Sequence, residues 1–510
     1  MTAKALMIQG TGSSVGKSLI ASALCRIFNR DGYRVAPFKA QNMALNSYVT
    51  CDGGEMGRAQ VVQAEAAGVE PSVEMNPILL KPTADAGSQV IVMGRPIGNM
   101  TAKEYFSARA EMSKVITKAF KSLSERYDII VIEGAGSPAE INLKDKDIVN
   151  MKMAELANAP VILVTDVDKG GAFAWIVGTL ELLQKDERAR LGGFILNKFR
   201  GDPELIADGL KMLESRTSLP VLGLIPYLRD INLDEEDSVW LDHYTNKDTH
   251  DEDNVDIAVV RLPRVSNFTD FKILGKEKSV RLRYVDDPRT LGQPDMIILP
   301  GTKSTIKDLI HIKESGLVQA ITDRAQNGTM VMGICGGYQM LGTGIEDKNH
   351  IESNQSFTEG LGLLDVSTTF LSEKHTFQVK AVMENNNPLP FCVDGVLSGY
   401  EIHMGNSESR CKPLLRIIER GGRPVDITDG AVSENGRVIG TYLHGLFDND
   451  EFRRRLINYL RRENETTAIG NDTYLSSQIF KEEAYNRLAS TVRENLRMDI
   501  IYQMLDLKRT

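Results

Sequence analysis

Residues 4–18 read Lys4-Ala-Leu-Met-Ile-Gln-Gly10-Thr11-Gly12-Ser-Ser-Val-Gly16-Lys17-Ser18. A short apolar run, extended by its β-branched and unbranched mix, gives way to a glycine-rich loop and then to a helical stretch over 19–29. Glycines let the backbone wrap closely around an anion, and the helix N-terminus aims unpaired N–H groups at it. Lys17 adds a point charge and Ser18 offers a hydroxyl to Mg²⁺. Gly10, Thr11, Gly12, Gly16, Lys17 and Ser18 are therefore the candidate nucleotide-binding residues. Thr11 stands where the Walker spacing has its first glycine, so the loop is a deviant P-loop; the bland alternative is a structural turn.

Outward from this loop, short apolar runs at 4–8, 33–37, 128–132, 160–164, 193–196 and 220–224 alternate with longer helical stretches. That rhythm predicts a parallel α/β sheet. Acidic and polar residues then crowd into 231–253, which reads as a linker. A second alternation, with strands expected at 256–260, 295–299, 330–334 and 438–442, predicts a second α/β domain. The fold class is thus α/β twice over. A nucleotide-binding α/β domain is expected at 1–230, a second α/β domain at 254–450 and a helical C-terminal appendix at 451–510.

The chain has 510 residues, 42% hydrophobic and 25% charged, which excludes a disordered or fibrous protein and allows several cores. Lys and Arg number 60 against 69 Asp and Glu, a net charge of −9, so a general nucleic-acid-binding surface is not expected. The N-terminal residues lack the pattern of a signal peptide, and no apolar run approaches the roughly 20 residues a membrane helix needs. Five cysteines without CxxC spacing argue against a disulfide framework and a zinc cluster. A soluble cytoplasmic enzyme is expected.

Ligands in open α/β sheets sit beyond the carboxyl ends of the strands. Glu133 ends the strand 128–133 before Gly134-Ala-Gly136, and is the leading metal-ligand candidate with Ser18. Asp52, in Thr50-Cys-Asp-Gly-Gly-Glu55, is the second, with Glu55 its competitor and an ordinary Asp-Gly turn the alternative. Asn197 ends another strand and is a candidate for pairing with a purine edge.

A different chemistry is written at Met330-Val-Met-Gly-Ile-Cys335-Gly-Gly-Tyr-Gln-Met-Leu-Gly342. A cysteine between an apolar strand and a helix, flanked by glycines, is the sulfur counterpart of the serine nucleophile elbow. The helix N-terminus favours its thiolate. His444, ending the apolar run before Gly445, is the expected base, with His403 its rival; the other five histidines read as surface residues. Backbone N–H groups of Thr302, in Leu299-Pro-Gly-Thr-Lys-Ser304, and of Gly336 are the candidate oxyanion donors.

Together these residues resemble one family, the cobyric acid synthases of cobalamin biosynthesis. In these a dethiobiotin synthetase-like P-loop domain joins a triad-type class I glutamine amidotransferase domain. The resemblance rests on Lys39-Ala-Gln-Asn-Met-Ala-Leu-Asn46, Asn76-Pro-Ile-Leu-Leu-Lys-Pro82, Ile132-Glu-Gly-Ala-Gly-Ser-Pro-Ala-Glu-Ile-Asn142, Gly399-Tyr-Glu-Ile-His-Met-Gly405 and Gly440-Thr-Tyr-Leu-His-Gly-Leu-Phe447. It implies ATP- and Mg²⁺-dependent amidation of four carboxylates of a corrinoid, adenosylcobyrinic acid a,c-diamide, with glutamine as nitrogen donor. It also implies that Asp52 and Glu133 hold Mg²⁺, and that Lys39, Gln41 and Asn42 meet a carboxylate or acyl phosphate. No nucleic-acid or membrane partner is implied, and no oligomeric state.

One departure stands out. Class I amidotransferases usually carry Glu two residues after the catalytic histidine, and this chain has Leu446 there. Cys335 and His444 then act as a dyad, or Asp448 or Glu401 orients the imidazole. Rival readings are a cobyrinate a,c-diamide synthase or CTP synthase-like amidoligase, a MinD or ParA type positioning ATPase, and a cysteine hydrolase with a regulatory nucleotide domain. The ATPase class carries a signature Lys near the loop start, where this chain has Thr11, and has no use for Cys335.

Overall fold

Strands Ile129–Glu133 and Val161–Asp166 are buried along their whole length, which a strand achieves only with both faces covered. They lie in a six-stranded parallel sheet. Its order is Val221–Pro226, Leu191–Phe199, Val161–Asp166, Lys4–Gly10, Ile129–Glu133, Val35–Phe38. The computed structural model describes residues 3–83, 87–228, 231, 233, 254–463 and 475–507. The expected acidic linker lies almost wholly outside them, as do His243 and His250. Every strand expected in the first 225 residues is present, within two or three residues of its expected ends.

An insertion follows Val35–Phe38 that the periodicity did not announce. Strands Gln41–Met43, Ile78–Pro82, Ser88–Val92 and Arg95–Met100 form a small, mostly antiparallel sheet, and Ser47–Val49 pairs with Glu55–Gly57 as a hairpin. These strands are short, and Arg95–Met100 is exposed, so no alternating apolar pattern marks them.

The second domain has its own six-stranded sheet, ordered Val280–Val285, Val255–Val260, Met296–Leu299, Met330–Ile334, Val438–Thr441, Ala431–Val432, parallel except for the last pair. The four strands expected here are present, and a largely antiparallel sheet built around the long strands Val366–Met383 and Leu397–Ser409 packs beside them. The hairpin of the first domain docks on those strands. Thr376 Oγ1 donates to the Gly53 carbonyl at 2.7 Å, Ser47 N donates to Asn267 Oδ1 at 3.1 Å, and the Tyr48 and Tyr400 rings lie 5.3 Å apart.

The expected C-terminal appendix is not one unit. Helix Asp450–Glu463 belongs to the second domain, where fully buried Arg453 donates to Glu277 at 2.7 Å and to the Phe447 carbonyl at 2.7 Å. Helices Ser477–Glu494 and Met498–Met504 return to the first domain and pack on Lys17–Arg30, the helix that follows the glycine loop. Apolar residues at 484, 488 and 492 recur with helical spacing and bury into that core. No helix among the described residues is long and apolar enough to cross a membrane.

Candidate active site

Strand Met330–Ile334 delivers the chain to Cys335 at φ 53° and ψ −108°, a conformation a residue with a Cβ adopts only under constraint. The flanking glycines supply the space. A Cβ on Gly337 would lie 1.9 Å from the Leu299 carbonyl oxygen, and one on Gly333 would lie 2.6 Å from the backbone of Gly337. Helix Gly336–Leu341 starts at the sulfur, and Cys335 N donates to the Thr441 carbonyl at 2.8 Å. A Cβ on Gly336 would stand 3.2 Å from Thr302 N, so the two candidate oxyanion amides are neighbours. Thr302 Oγ1 is fixed between Asp308, at 2.5 Å, and the Arg264 carbonyl, at 2.9 Å.

His444 converges on the same point. A Cβ on Gly301 would lie 3.1 Å from His444 Cε1 and 3.6 Å from Cys335 Cβ. His444 Nδ1 is 2.7 Å from Asp270 Oδ2, Gly445 N donates to the other carboxylate oxygen at 3.2 Å, and Tyr400 stacks on the imidazole at 5.2 Å. With Nδ1 engaged, Nε2 is the nitrogen left for sulfur. Burial pulls the His444 pKa down, but the Asp270 charge and hydrogen bond, helped by Cys335, overcome it and push it up to about 10.

The orienting carboxylate is therefore Asp270, which sequence reasoning missed. Asp448 instead accepts from Lys481 at 3.1 Å, and Glu401 pairs with Arg420 at 2.9 Å. Asp270 lies 174 residues before His444, so no local spacing links them. The available signal was the polar cluster Ser266-Asn-Phe-Thr-Asp270 shortly after strand Val255–Val260. His403 is built differently from His444: its Nδ1 is held by the Gly405 carbonyl at 2.7 Å, and Tyr442 stacks on it at 3.7 Å. Burial drives its pKa down to about 3, leaving a neutral ring. His375, expected at the surface, is half-buried and stacks on His403 at 5.2 Å.

The glycine loop joins its own constellation. Ser14 at φ 58° and Gly16 at φ 101° turn the backbone into a nest for an anion. Lys17 Nζ donates to the carbonyls of Gly12, at 2.7 Å, and Gly136, at 3.0 Å. Thr11 Oγ1 is tied to Thr165 Oγ1 at 3.0 Å, and Gly10 has no room for a side chain beside Val15. Glu133 accepts from Ser18 Oγ at 2.8 Å, from Lys39 Nζ at 3.0 Å and from Gln63 Nε2 at 2.5 Å. Burial works against its charge, but Lys39 and these hydrogen bonds hold the carboxyl below the usual range. A hydroxyl beside a carboxylate is a fitting oxygen donor pair for Mg²⁺, which takes one or two protein ligands and completes its shell with phosphates and water. Asp52 is not brought to this pair: it is exposed in the hairpin turn and hydrogen-bonds Thr50. Both oxygens of its competitor Glu55 are taken by Lys81, at 2.8 Å, and Lys374, at 2.5 Å. Asn197 braces the loop from below, donating to the Val15 carbonyl at 2.9 Å.

The same two halves are matched by known families. The CobQ/CobB/MinD/ParA nucleotide binding domain matches residues 6–239, and the CobB/CobQ-like glutamine amidotransferase domain matches residues 256–452. The protein of Pelotomaculum thermopropionicum named cobyric acid synthase is 51% identical to this chain, over 99% of this chain and 97% of its own length. Its namesake in Alkaliphilus metalliredigens is 51% identical over 98% and 99%, and that of Sorangium cellulosum 49% identical over the full length of both. The chain belongs to the cobyric acid synthase family. As a member it is an amide-synthesising ligase with a nucleotide-binding domain and a glutamine amidotransferase domain.

Two cavities lie near these features in this cobyric acid synthase family member. One, of about 630 Å³, is reached by Cys335 and Gln339 from the second domain and by Lys81, Gln89 and Met100 from the first. The other, of about 620 Å³, lies within the first domain and is walled by Met43, Leu80, Val90, Tyr105 and Phe106, with Gly136 at its P-loop end. Gly87, Met100 and Thr101 line both. Of the residues expected at the substrate, Gln41 faces the second cavity and accepts from Tyr105 at 2.5 Å, whereas Asn42 is buried and donates to Gln60 at 2.8 Å.

Proposed function

We propose that this chain converts adenosylcobyrinic acid a,c-diamide to adenosylcobyric acid by amidating four carboxylates (b, d, e and g), using ATP and glutamine. What carries the reading is the wall shared by the two cavities: one is lined by Cys335, the other by Gly136, whose carbonyl binds the phosphate-loop lysine Lys17. An apolar cavity with Arg109 and Lys146 at its edge suits a macrocycle with apolar faces and carboxylates around its rim.

The Cys335 thiolate attacks the amide carbon of glutamine, and the Thr302 and Gly336 N–H groups take the developing oxyanion. His444, held by Asp270, passes its proton to the departing nitrogen, which leaves as ammonia; water then hydrolyses the thioester to glutamate. In the other half a corrinoid carboxylate attacks the γ-phosphorus of ATP, ADP leaves, and ammonia displaces phosphate from the acyl phosphate. Lys17 and the loop N–H groups hold the phosphates, and Lys39, bound to Glu133 at 3.0 Å, adds positive charge beside the Ser18–Glu133 pair. Bound Mg²⁺, held by Ser18 and Glu133, would neutralise phosphate charge. Water in the passage would destroy the acyl phosphate, so the shared wall doubles as a shield.

The test supplies ATP, Mg²⁺, glutamine and the a,c-diamide and follows the corrinoid by mass. Four successive losses of about one mass unit are expected; absence of any corrinoid amide, with glutamine or with ammonia, overturns the reading. Cys335→Ala is expected to abolish glutamine-dependent amidation while ammonia-dependent amidation continues.

A further inference from the structure

Two consecutive residues of the first domain, Ser47 and Tyr48, reach the two halves of the His444–Asp270 pair separately. Ser47 N donates to Asn267 Oδ1 at 3.1 Å. Asn267 is the left-handed residue, at φ 53°, that opens the short turn Phe268–Phe271, and its carbonyl accepts from Asp270 N at 3.0 Å. Tyr48 works on the other half. Its ring lies 5.3 Å from that of Tyr400, which stacks on the His444 imidazole at 5.2 Å with 16° between the planes. Tyr400 and His444 also exchange backbone bonds, His444 N donating to the Tyr400 carbonyl at 2.9 Å and Tyr400 N to the His444 carbonyl at 3.2 Å. The hairpin that carries Ser47 and Tyr48 is seated on the second domain, its Val49 carbonyl accepting from Gln378 and its Gly53 carbonyl from Thr376 at 2.7 Å. Behind it, the Arg58 guanidinium lies 5.3 Å over the Tyr48 ring.

Neither member of the pair sits inside a strand: Asp270 is carried by a turn, and His444 follows strand Val438–Thr441. Sheet register therefore does not fix the plane of either side chain. Within the second domain the turn is anchored by Ser266 N on the Gly301 carbonyl, at 2.9 Å, and by buried Phe268 and Phe271. Those contacts hold its backbone, while the Asn267 side chain is bonded to the first domain. A cavity of about 230 Å³ bordered by Tyr48, Arg58, Asp270 and Tyr400 lies against the stack, so Tyr400 has space to swing into once Tyr48 is removed. Resting only on the thioester half of the function proposed above, we infer that Tyr48 and Asn267 are positioning residues for glutamine hydrolysis. Tyr48 holds Tyr400 against the imidazole, and Asn267 pins the turn that carries Asp270 to Ser47. The imidazole has to present one nitrogen to the sulfur and the other to the carboxylate at once, and a misplacement of about 1 Å in such an alignment costs on the order of a hundredfold in rate. A ring set parallel to the imidazole restricts its tilt without touching substrate. The cysteine site is thereby complete only where the domain that consumes its ammonia is docked on it.

The experiment supplies the full-length enzyme with ATP, Mg²⁺, the a,c-diamide and either glutamine or ammonium chloride, and reads glutamate release and corrinoid amide in the same mixture. Tyr48→Ala is expected to lower kcat for glutamate release by roughly ten- to a hundredfold. KM for glutamine and the rate of ammonia-dependent amidation should each stay within about twofold of wild type. Tyr48→Phe, which keeps the ring, should behave as wild type. Asn267→Gly, which keeps the left-handed backbone and removes the acceptor, should lower kcat in the same direction. In an Asp270→Asn background Tyr48→Ala should cost less than about threefold further, because both changes act through one imidazole. Undiminished glutamate release by Tyr48→Ala overturns the inference. So does its full additional loss in the Asp270→Asn background, or an equal fall in ammonia-dependent amidation, since either marks the hairpin as general support. A wild type that releases glutamate yet makes no corrinoid amide from either nitrogen source overturns the proposed function and leaves the Tyr48 comparison standing.

Discussion

Asp270 turns His444 from an ordinary buried histidine into a group that holds its proton. Without a carboxylate on Nδ1, burial would favour the neutral ring; with it, the imidazolium persists up to about pH 10. Because the folded pKa is raised, the proton available to the leaving nitrogen is present below that value and lost as pH rises through it. Asp270→Asn removes the charge, and glutaminase kcat is expected to fall by about two to four orders of magnitude. The alkaline limb of the remaining activity should move to lower pH. An unchanged limb in a pH–rate profile would show that another group sets it. His403, which shares the Gly399–Gly405 motif, makes no such pair and stays uncharged, which is why its strand context alone could not rank the two histidines.

The elbow at Cys335 is a property of a strand and a helix meeting with no space between them. The Leu299 carbonyl lies where a Gly337 side chain would start, and Tyr338 fills the site where a Cβ of Gly440 would project. A Gly337→Ala change forces the helix Gly336–Leu341 off the strand Met296–Leu299 and is expected to cost about 3 kcal/mol. A drop in the urea midpoint, with loss of glutaminase activity, checks it; a stable and active variant would show that the elbow can relax. The hairpin Ser47–Val49/Glu55–Gly57 makes the same point for the first domain. Its turn residues read as an isolated Asp-Gly turn, yet its strands place Tyr48 on Tyr400, which in turn stacks on His444. Helix Arg58–Ala66 then carries Gln63 back to Glu133.

Across the whole molecule, the two sheets are held together by more than a linker. The chain crosses to the second domain and returns, so that helix Ser477–Glu494 covers the helix behind the phosphate loop. Arg26 meets Glu482 at 2.5 Å, Tyr485 meets Glu65 at 2.5 Å and Phe28 packs edge-on to Tyr502 at 5.8 Å. Exposed ion pairs of this kind contribute little, and the buried apolar side chains Leu488, Val492, Ile501 and Tyr502 carry most of the contact. Truncation after Glu463 is therefore expected to lower the melting temperature and to weaken nucleotide binding by the first domain, measured by calorimetry and titration with ATP. Arg26→Ala should leave both nearly unchanged. A truncated chain as stable as the full one would show that the return is dispensable.

Sequence by itself determined the two parallel sheets, the phosphate loop and the cysteine elbow, because each is written in consecutive residues: apolar runs of strand length, glycines where backbone must pass close, and the reactive residue at the strand end. It also singled out His444, Ser18 and Glu133, which sit on those same strand ends and helix starts. Tertiary structure alone decided the partners. Asp270 reaches His444 across 174 residues, Lys374 meets Glu55 across 319, and Tyr485 meets Glu65 across 420. Asp52, a metal-ligand candidate by sequence, sits in the turn of the docking hairpin, bonded to Thr50. The physical reason is that local periodicity specifies which face of an element is buried, whereas the neighbour of a polar side chain depends on how separately specified elements pack, and no spacing within either element records it.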